Sequence, residues 1–383
     1  MAGIYIHIPF CRKACHYCNF HFSTSLQYKN DFVTALLKEI DLRVDYLQQE
    51  LIETIYFGGG TPSLLEEDDL HRIVAHLHRH FKIADNTEIT FEANPDDITR
   101  EKLISWRTNG INRLSIGVQS FFDDDLKWMN RAHSAQQSVQ SILLAQEEGI
   151  NNLTIDLIYG TPTLGNENWE KNFKQAVTLN VPHLSCYALT VEPKTALAKM
   201  IAQHKIGDID SERQATQFLL LTDWATAAGY EHYEISNFAK PGMRSKHNSA
   251  YWQGKKYLGL GPSAHSFNGT ARQWNIANNS LYIQSLQKDS LSAETETLTL
   301  IQQLNEYIMT SLRTLEGTGL DTINKHFGQK YTDQILQNAQ KYLQDGRMIN
   351  DKNILVLTKE GKLYADGIAS DLFADEDSKK ETH

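Results

Sequence analysis

The chain has only four cysteines and eight prolines in 383 residues, and it contains no apolar run of about 18 residues that would cross a bilayer. So few cysteines argue against a disulfide framework, which a chain of this length does not need. Positive charge is not in excess either, because 37 Lys and Arg stand against 47 Asp and Glu, a net charge of −10. With no basic or apolar leader at Met1 and Ala2, the sequence predicts a cytoplasmic protein without a transmembrane segment that binds no nucleic acid.

Three of the four cysteines, Cys11, Cys15 and Cys18, form a C-x3-C-x2-C pattern directly after an apolar run at residues 3–10. Three thiolates at this spacing can hold three corners of a [4Fe-4S] cube and leave the fourth iron open to a small molecule. This is the arrangement of radical S-adenosylmethionine (SAM) chemistry, in which the methionyl amine and carboxylate chelate the open iron. A zinc site completed by His7, His16 or His21 stays open as the alternative. The fourth cysteine, Cys186, is expected to be a buried small hydrophobe.

Strand and helix patterns alternate through the first half of the chain. The predicted strands are Gly3–Pro9, Thr54–Phe57, Glu88–Ala93, Arg113–Val118, Leu153–Tyr159 and His183–Leu189. The predicted helices are Tyr28–Gln49, Asp68–Phe81, Thr99–Thr108, Ser134–Glu148 and Trp169–Leu179. Such alternation indicates right-handed parallel βαβ units with ligand-binding residues at the carboxyl ends of the strands. The fold class is therefore α/β, a partial (β/α)6 barrel over residues 1–230.

Polar or glycine residues stand where these strands end. The sequence GGGTP at residues 58–62 follows the second strand, and its amide groups can bind the methionyl amine or carboxylate because glycine lets a backbone approach closely. A plain tight turn between strand and helix is the alternative. Glu92, at the end of the third strand, can take a ribose hydroxyl or the SAM ammonium. Arg131 follows the fourth strand, with a solvated helix-end cation as the alternative. Asp156, within the fifth strand, can equally serve a structural hydrogen bond.

Four segments together resemble one family, the radical SAM proteins related to oxygen-independent coproporphyrinogen III oxidase. They are YIHIPFC at residues 5–11, YFGGGTP at 56–62, RLSIGVQSF at 113–121 and DLIYG at 156–160. The resemblance spans nearly the whole chain and implies a [4Fe-4S] cluster on the three clustered cysteines. It also implies SAM contacts from Tyr5, Gly59, Thr61, Glu92, Gln119, Arg131, Asp156 and Ala188.

Two departures bear on which branch of the family the chain resembles. Members that make protoporphyrinogen carry a further cysteine two residues after the third, where this chain has Phe20, and an extension before the first strand, where it has only two residues. Residues 247–252, HNSAYW, resemble the HNxxYW signature of the haem chaperone branch. That resemblance implies haem binding by His247, Tyr251 and Trp252, since imidazole ligates haem iron and aromatic rings offer flat faces to a porphyrin.

The branch implies a chaperone that binds haem and passes it to an acceptor haem protein, such as a membrane-bound respiratory one. The oxidase, which removes carbon dioxide from propionate side chains, is the enzymatic alternative, so the sequence leaves open whether the protein is an enzyme. Taken alone, an HNxxYW string is more often ordinary packing around a satisfied histidine.

The rest of the chain is predicted to form a haem-binding region with an extension, residues 231–290, and a winged-helix-like α+β domain, residues 291–373. In the latter the patterns predict helices Leu298–Arg313 and Tyr331–Asp345, a hairpin strand at Asp351–Leu357 and a last helix at Lys359–Ala369. This domain has little basic character for phosphate contact, so it is expected to serve packing or partner docking. Residues 374–383 are predicted to be a disordered tail.

Overall fold

Six parallel strands form the centre of the computed structural model, which describes residues 2–375. They follow one another in the sheet in chain order: β1 (Ala2–Ile8), β2 (Ile52–Gly59), β3 (Ile83–Ala93), β4 (Arg113–Gln119), β5 (Leu153–Tyr159) and β6 (His183–Ala188). All six predicted strands are confirmed, and so is the α/β class with its partial barrel. Their carboxyl ends meet at one mouth of the barrel.

Helices connect the strands and cover the outside of the barrel. They are α1 (Lys29–Leu42), α2 (Glu67–His80), α3 (Arg100–Thr108), α4 (Asp123–Trp128), α5 (Ala135–Glu147) and α6 (Asn166–Thr178). The five predicted helices are present, although α1 ends seven residues before its predicted limit of Gln49, in a run of turns. The short helix α4 was not predicted, because six residues give too little periodicity.

The first strand shows why both faces of the sheet are buried. Ile4, Ile6 and Ile8 are fully buried and belong to the main core, which lies between the strands and the helices. The alternating residues face the other way, where the Tyr5 hydroxyl lies 3.2 Å from Nδ1 of His7. One face of the strand thus supplies the core, and the other lines the barrel interior with polar groups.

The sheet extends well beyond the six strands, to twelve in all. On one side β6 pairs with a hairpin, and on the other β1 pairs in parallel with a strand that leads into three antiparallel ones. The added strands are β7 (Glu231–Glu234), β8 (Asn237–Ala239), β9 (Tyr257–Leu260), β10 (His265–Phe267), β11 (Ala271–Asn275) and β12 (Ala293–Thr297). The helices of this part are α7 (Ala196–Ala202), α8 (Ser211–Ala227), α9 (Lys246–Trp252) and α10 (Asn279–Gln287).

A buried carboxylate ties this extension to the barrel. Glu39 of α1 accepts hydrogen bonds from the Gly261 amide at 2.7 Å, Asn275 Nδ2 at 2.7 Å and the Tyr282 hydroxyl at 2.6 Å. Burial raises the pKa of Glu39 above its ordinary value. Because these donors come from three separate elements, removing the carboxylate would leave several buried polar groups without a partner.

The C-terminal part is winged-helix-like, as predicted, and has a hydrophobic core of its own. Its elements are α11 (Leu300–Leu312), β13 (Thr318–Gly319), α12 (Leu320–Phe327), α13 (Gln329–Gln344), β14 (Met348–Asp351), β15 (Ile354–Leu357) and α14 (Ala365–Leu372). The sheet order is β13-β15-β14, all antiparallel. Lys352 and Asn353 both have positive φ at the tip of the β14–β15 hairpin, as a tight two-residue turn requires. The sequence patterns missed α12.

Two further expectations concern the ends of the chain and the membrane. Ala374, at the start of the predicted tail, is buried, and its amide donates to Asn305 Oδ1 at 2.8 Å. Residues 376–383 of that tail lie outside the described residues. Among residues 2–375, no helix is long and apolar enough to cross a membrane.

Candidate cluster and SAM site

The loop that carries Cys11, Cys15 and Cys18 starts where β1 ends, at the mouth of the barrel. Its sulfur atoms accept hydrogen bonds from residues of other strand ends: Thr61 Oγ1 lies 3.4 Å from Cys11 Sγ, and Arg131 Nη1 lies 3.3 Å from Cys15 Sγ. All three cysteines are free of disulfides. The loop therefore presents its thiols next to two of the residues predicted to contact SAM.

The segment after β4 holds the backbone of this loop in place. Nδ1 of His16 lies 2.9 Å from the Trp128 carbonyl oxygen, and Asn130 Nδ2 donates to the Ala14 carbonyl at 2.7 Å. The Leu197 amide donates to the His16 carbonyl at 2.8 Å. These bonds join parts of the chain more than a hundred residues apart, so the position of the loop is a property of the whole barrel.

The donor set of this loop fits an iron–sulfur cluster. It offers three thiols, Cys11, Cys15 and Cys18, and no disulfide occupies any of them. Thr61 and Arg131 donate to two of the sulfur atoms, as suits thiolate ligands that carry negative charge. Three thiolates would hold three irons of a [4Fe-4S] cluster and leave the fourth iron open.

The thiols of the cysteine loop would lose their protons only in the presence of a positive charge such as a metal ion. The pKa of Cys11 is raised to about 11, chiefly by burial and in part by the neighbouring cysteines, while Thr61 and Arg131 oppose the rise. Burial also raises the pKa of Cys18. Because metal binding requires thiolates, iron would displace these protons, and the gathered sulfur atoms supply the negative charge that iron needs.

Glu92, at the end of β3, is placed for a cationic ligand. Its Oε1 accepts from the Tyr56 hydroxyl at 2.7 Å, and the Gly59 amide also donates to this carboxylate. Burial raises the pKa of Glu92 to about 7, and the nearby carboxylate of Asp156 adds to the rise. A cationic ligand such as SAM, whose sulfonium carries a positive charge, would stabilise the ionised form.

The guanidinium of Arg131 donates hydrogen bonds to the protein as well as to the cysteine loop. Its Nη2 donates to Asn94 Oδ1 at 2.6 Å and to the Gly117 carbonyl at 2.8 Å. Asn94 in turn donates to Thr61 Oγ1 at 3.2 Å. A chain of hydrogen bonds thus runs from Arg131 through Asn94 and Thr61 to Cys11, and a solvated helix-end cation is the wrong description of Arg131.

Asp156, Gln119 and Ala188 complete the predicted SAM set. Burial raises the pKa of Asp156 to about 6, and the nearby Arg131 and a hydrogen bond from Ser185 oppose the rise. Gln119 ends β4 with φ of +65°, a backbone conformation that residues other than glycine rarely adopt. Ala188 is the last residue of β6 and is half-buried.

The glycine turn after β2 is required by the packing of the protein itself. Gly59 has φ of +98°, and a Cβ atom there would lie 2.4 Å from Nδ1 of His7. A Cβ on Gly60 would lie 2.6 Å from the carbonyl oxygens of Ile8 and Phe10. The glycines therefore let β2 pack against the base of the cysteine loop, as a tight βα turn does, and contact of their amides with SAM stays a prediction.

His247 lies deep in the barrel, behind the SAM side, and only 2% of it is exposed. Both ring nitrogens face protein groups: Nδ1 is 2.8 Å from Thr54 Oγ1, and Nε2 is 2.9 Å from the Tyr251 hydroxyl. The ring stacks on Tyr56 with centroids 5.1 Å apart. Burial lowers the pKa of His247 to about 3, so the imidazole is neutral.

The amide of His247 and that of the residue before it donate to the buried carboxylate of Glu88, which anchors the start of α9.

Trp252, at the end of α9, is separated from the SAM side and faces the C-terminal domain. The guanidinium of Arg313 lies over its ring, 5.3 Å from the centroid. Arg313 also pairs with Glu234 at 3.3 Å and with Asp366 at 2.6 Å. Of the three HNxxYW residues, the structure thus brings His247 and Tyr251 to the barrel interior and leaves Trp252 at the boundary with the C-terminal domain.

Comparisons with known proteins agree with this architecture. Residues 5–176 match the model of the radical SAM superfamily, and residues 298–364 match the HemN C-terminal domain. The solved structure of coproporphyrinogen III oxidase (HemN) from Escherichia coli, a radical SAM enzyme, superposes with a TM-score of 0.84 at 26% identity. That similarity covers 97% of this chain and 90% of the other.

Among curated proteins, the heme chaperone HemW of Bacillus subtilis is 34% identical over 96% of this chain and 98% of its own length. The heme chaperone HemW of Escherichia coli is 38% identical over 69% of each chain. The chain belongs to the HemW family. Its radical SAM domain implies a [4Fe-4S] cluster and SAM, in agreement with the geometry of the cysteine loop.

Sequence reasoning missed the role of His7, which it named only as a candidate zinc ligand, and missed Tyr56 altogether. His7 supports Gly59, and its Nε2 lies 2.8 Å from the His21 carbonyl oxygen, while Tyr56 links His247 to Glu92. Alternation along the strands is the signal that would have found them, because His7 shares a face of β1 with Tyr5, and Tyr56 stands two residues before the glycine turn.

Proposed function

We propose that this protein is a haem chaperone that binds haem and a [4Fe-4S] cluster with SAM, and transfers the haem to an acceptor haem protein. The observation that carries the proposal is the contact between the two sites: His247 of the HNxxYW helix stacks on Tyr56, which donates to Glu92 on the SAM side. The curated names of the HemW relatives support the same function. A cytoplasmic location and a membrane-bound respiratory acceptor remain part of this proposal.

Iron ligation requires His247 to give up one of its hydrogen bonds. Nε2 is the nitrogen to release, because its partner Tyr251 lies one turn further along the same short helix, whereas Thr54 is fixed in β2. The lowered pKa keeps the ring neutral, which is the form that binds iron. Haem binding at this position therefore includes a rearrangement of α9.

A groove beside α9 suits the acidic edge of haem. It has a volume of about 290 Å³, and its lining includes the cationic side chains of Arg244, Lys246 and Lys255 and the carboxylate of Glu53. Arg244 and Lys255 already pair with carboxylates of the protein, which the propionates of haem would replace. Such a volume receives an edge of the porphyrin rather than the whole ring.

The second candidate function is that of coproporphyrinogen III oxidase, favoured by the TM-score of 0.84 over nearly the whole chain. Its chemistry would remove hydrogen from propionate side chains and release carbon dioxide. Phe20, at the position where the oxidases carry an extra cysteine, is 64% exposed at the mouth.

One pair of measurements tests the proposal. Anaerobically reconstituted protein is titrated with haem, followed by absorbance, and is assayed in parallel for conversion of coproporphyrinogen III. We expect one haem per chain and no conversion. His247→Ala should weaken haem binding by about tenfold or more with the cluster intact, since a coordinate bond is lost.

His265→Ala is the matched control, because His265 is an exposed histidine of the neighbouring strand β10 whose ring stacks on Trp274. It should bind haem like the unmodified protein. Sustained turnover of coproporphyrinogen III would favour the oxidase over the chaperone, and equal haem affinity in the His247 and His265 variants would overturn the assignment of His247 as the iron ligand.

A further inference from the structure

Three metal-ligating side chains meet on the outside of the barrel, away from the cysteine loop. Asp41 belongs to α1, while His76 and His80 lie one turn apart on α2. Oδ1 of Asp41 is 2.7 Å from Nε2 of His76 and 3.0 Å from Nε2 of His80. The two imidazole rings have centroids 4.6 Å apart. Both histidines therefore converge on a single carboxylate oxygen.

We propose that Asp41, His76 and His80 form a binding site for a divalent transition metal ion, with zinc as the preferred ion. Two histidines at positions i and i+4 share one face of a helix, and two imidazoles with one carboxylate are a donor set that zinc accepts. Borderline nitrogen ligands favour zinc over magnesium or calcium.

The present distances are close to what a zinc ion requires. Around one zinc ion, nitrogen and oxygen ligands at about 2.0–2.2 Å lie roughly 3.3 Å apart. All three ligand atoms already lie within 4.8 Å of one another, so the side chains need to shift only slightly. Asp41 is 51% exposed, which leaves room for a water molecule as the fourth ligand.

Packing holds the two histidines in this arrangement. Their side chains are 16% and 26% exposed, and Ile73 and Leu77 of the same helix are fully buried. An ordinary exposed His–Asp hydrogen bond would leave both partners free to rotate into solvent. Here the histidines are fixed relative to each other, which lowers the entropy cost of binding an ion.

The position of the site indicates a structural role. The three residues lie near the ends of α1 and α2, and these helices run antiparallel to the strands, so the site is at the opposite end of the barrel from the cluster. Glu39, two residues before Asp41, anchors the extension β9–β11 and α10 to α1. A bound ion would cross-link α2 to α1.

The test uses full-length protein with its cluster assembled under anaerobic conditions, so that the cysteines are occupied by iron. Zinc is titrated in competition with a chromophoric chelator, and zinc and iron are measured after dialysis. We expect about one zinc per chain beside the cluster iron, and a rise in the thermal unfolding midpoint on adding zinc. His76→Ala and His80→Ala should each weaken zinc binding by about tenfold or more.

His78→Ala is the matched control, because His78 is exposed on the same helix between the two ligands. It should bind zinc as the unmodified protein does. Circular dichroism and iron content show whether each variant is folded with its cluster. Asp41→Asn, whose side chain is isosteric, should also weaken zinc binding, because the amide lacks the negative charge of the carboxylate ligand. No zinc beyond the cluster in folded protein, or equal zinc binding by the His76, His80 and His78 variants, would overturn the proposal.

Discussion

The two ends of the barrel interior treat their polar groups differently. At the cysteine mouth, the thiols of Cys11 and Cys15 accept bonds from Thr61 and Arg131, and the carboxylate of Glu92 lies where a cation would stabilise it. At the deep end, His247 has both ring nitrogens bonded to protein groups. The mouth is therefore arranged to receive ligands as it stands, whereas the deep end must rearrange before His247 can bind iron.

The largest expected effect is at the mouth. Cys11→Ser should lose most of the iron of the reconstituted protein, because a serine hydroxyl is a poor substitute for a thiolate corner. Cys186→Ala is the matched control: this cysteine is buried in β6 and has no part in the loop, so the iron content should not change. Elemental analysis and the broad iron–sulfur absorbance measure the result. A Cys11→Ser protein with full iron content would contradict the cluster assignment.

The next effect is at the deep end and has the opposite sign. Tyr251→Phe keeps the ring but removes the hydroxyl that occupies Nε2 of His247. If that bond must break for iron to bind, haem affinity should rise by about fivefold, the factor for roughly 1 kcal/mol of one hydrogen bond. Haem titration of the reconstituted variant gives this value. A marked fall in affinity would mean that the hydroxyl assists haem binding.

Sequence reasoning worked best where the signal is local. The three cysteines lie within eight residues, and Glu92 near the end of β3 and Asp156 within β5 stand in strong apolar runs, so sequence reasoning found these positions. Sequence reasoning did not find Thr54 as the hydrogen-bond partner of His247, since the two residues are 193 positions apart and no pattern joins them. An extension over residues 231–290 was predicted, but its strands β9–β12 were not, because they have only three to five residues and each gives little periodicity.

The affinity for SAM at the cysteine mouth should depend on pH. The pKa of Glu92 is raised to about 7, so the carboxyl is neutral below that pH and becomes an anion above it. SAM carries positive charge, and its affinity should therefore increase by about tenfold between pH 6 and pH 8 if only the anion binds it. Asp156, with a pKa raised to about 6, acts in the same direction at lower pH.

Glu92→Gln should bind SAM more weakly and without most of this pH dependence. This variant is a sharper probe than Gly59→Val, because a side chain at Gly59 would collide with His7 and disturb the cysteine loop itself. Equilibrium binding of SAM to reconstituted protein at several pH values is the measurement. An unchanged pH profile in Glu92→Gln would show that another group governs SAM binding.

The smallest expected effect concerns the boundary with the C-terminal domain. Arg313→Ala removes the cation that lies over Trp252. Because that face must be uncovered for a porphyrin to contact it, haem should associate about twofold to fivefold faster, in line with roughly 0.5–1 kcal/mol for an exposed cation–π contact. Arg272→Ala is the control, since Arg272 pairs with Glu306 of α11 at 2.8 Å. Equal association rates in both variants would show that Trp252 is not part of the haem path.

The axial ligand of bound haem tests the central claim most directly. Haem-loaded, cluster-containing protein is examined by electron paramagnetic resonance and absorbance, beside His247→Ala prepared in the same way. The account predicts a histidine-ligated haem in the unmodified protein, its loss in the variant, and an unchanged cluster signal in both. An identical haem spectrum with and without His247 would contradict it.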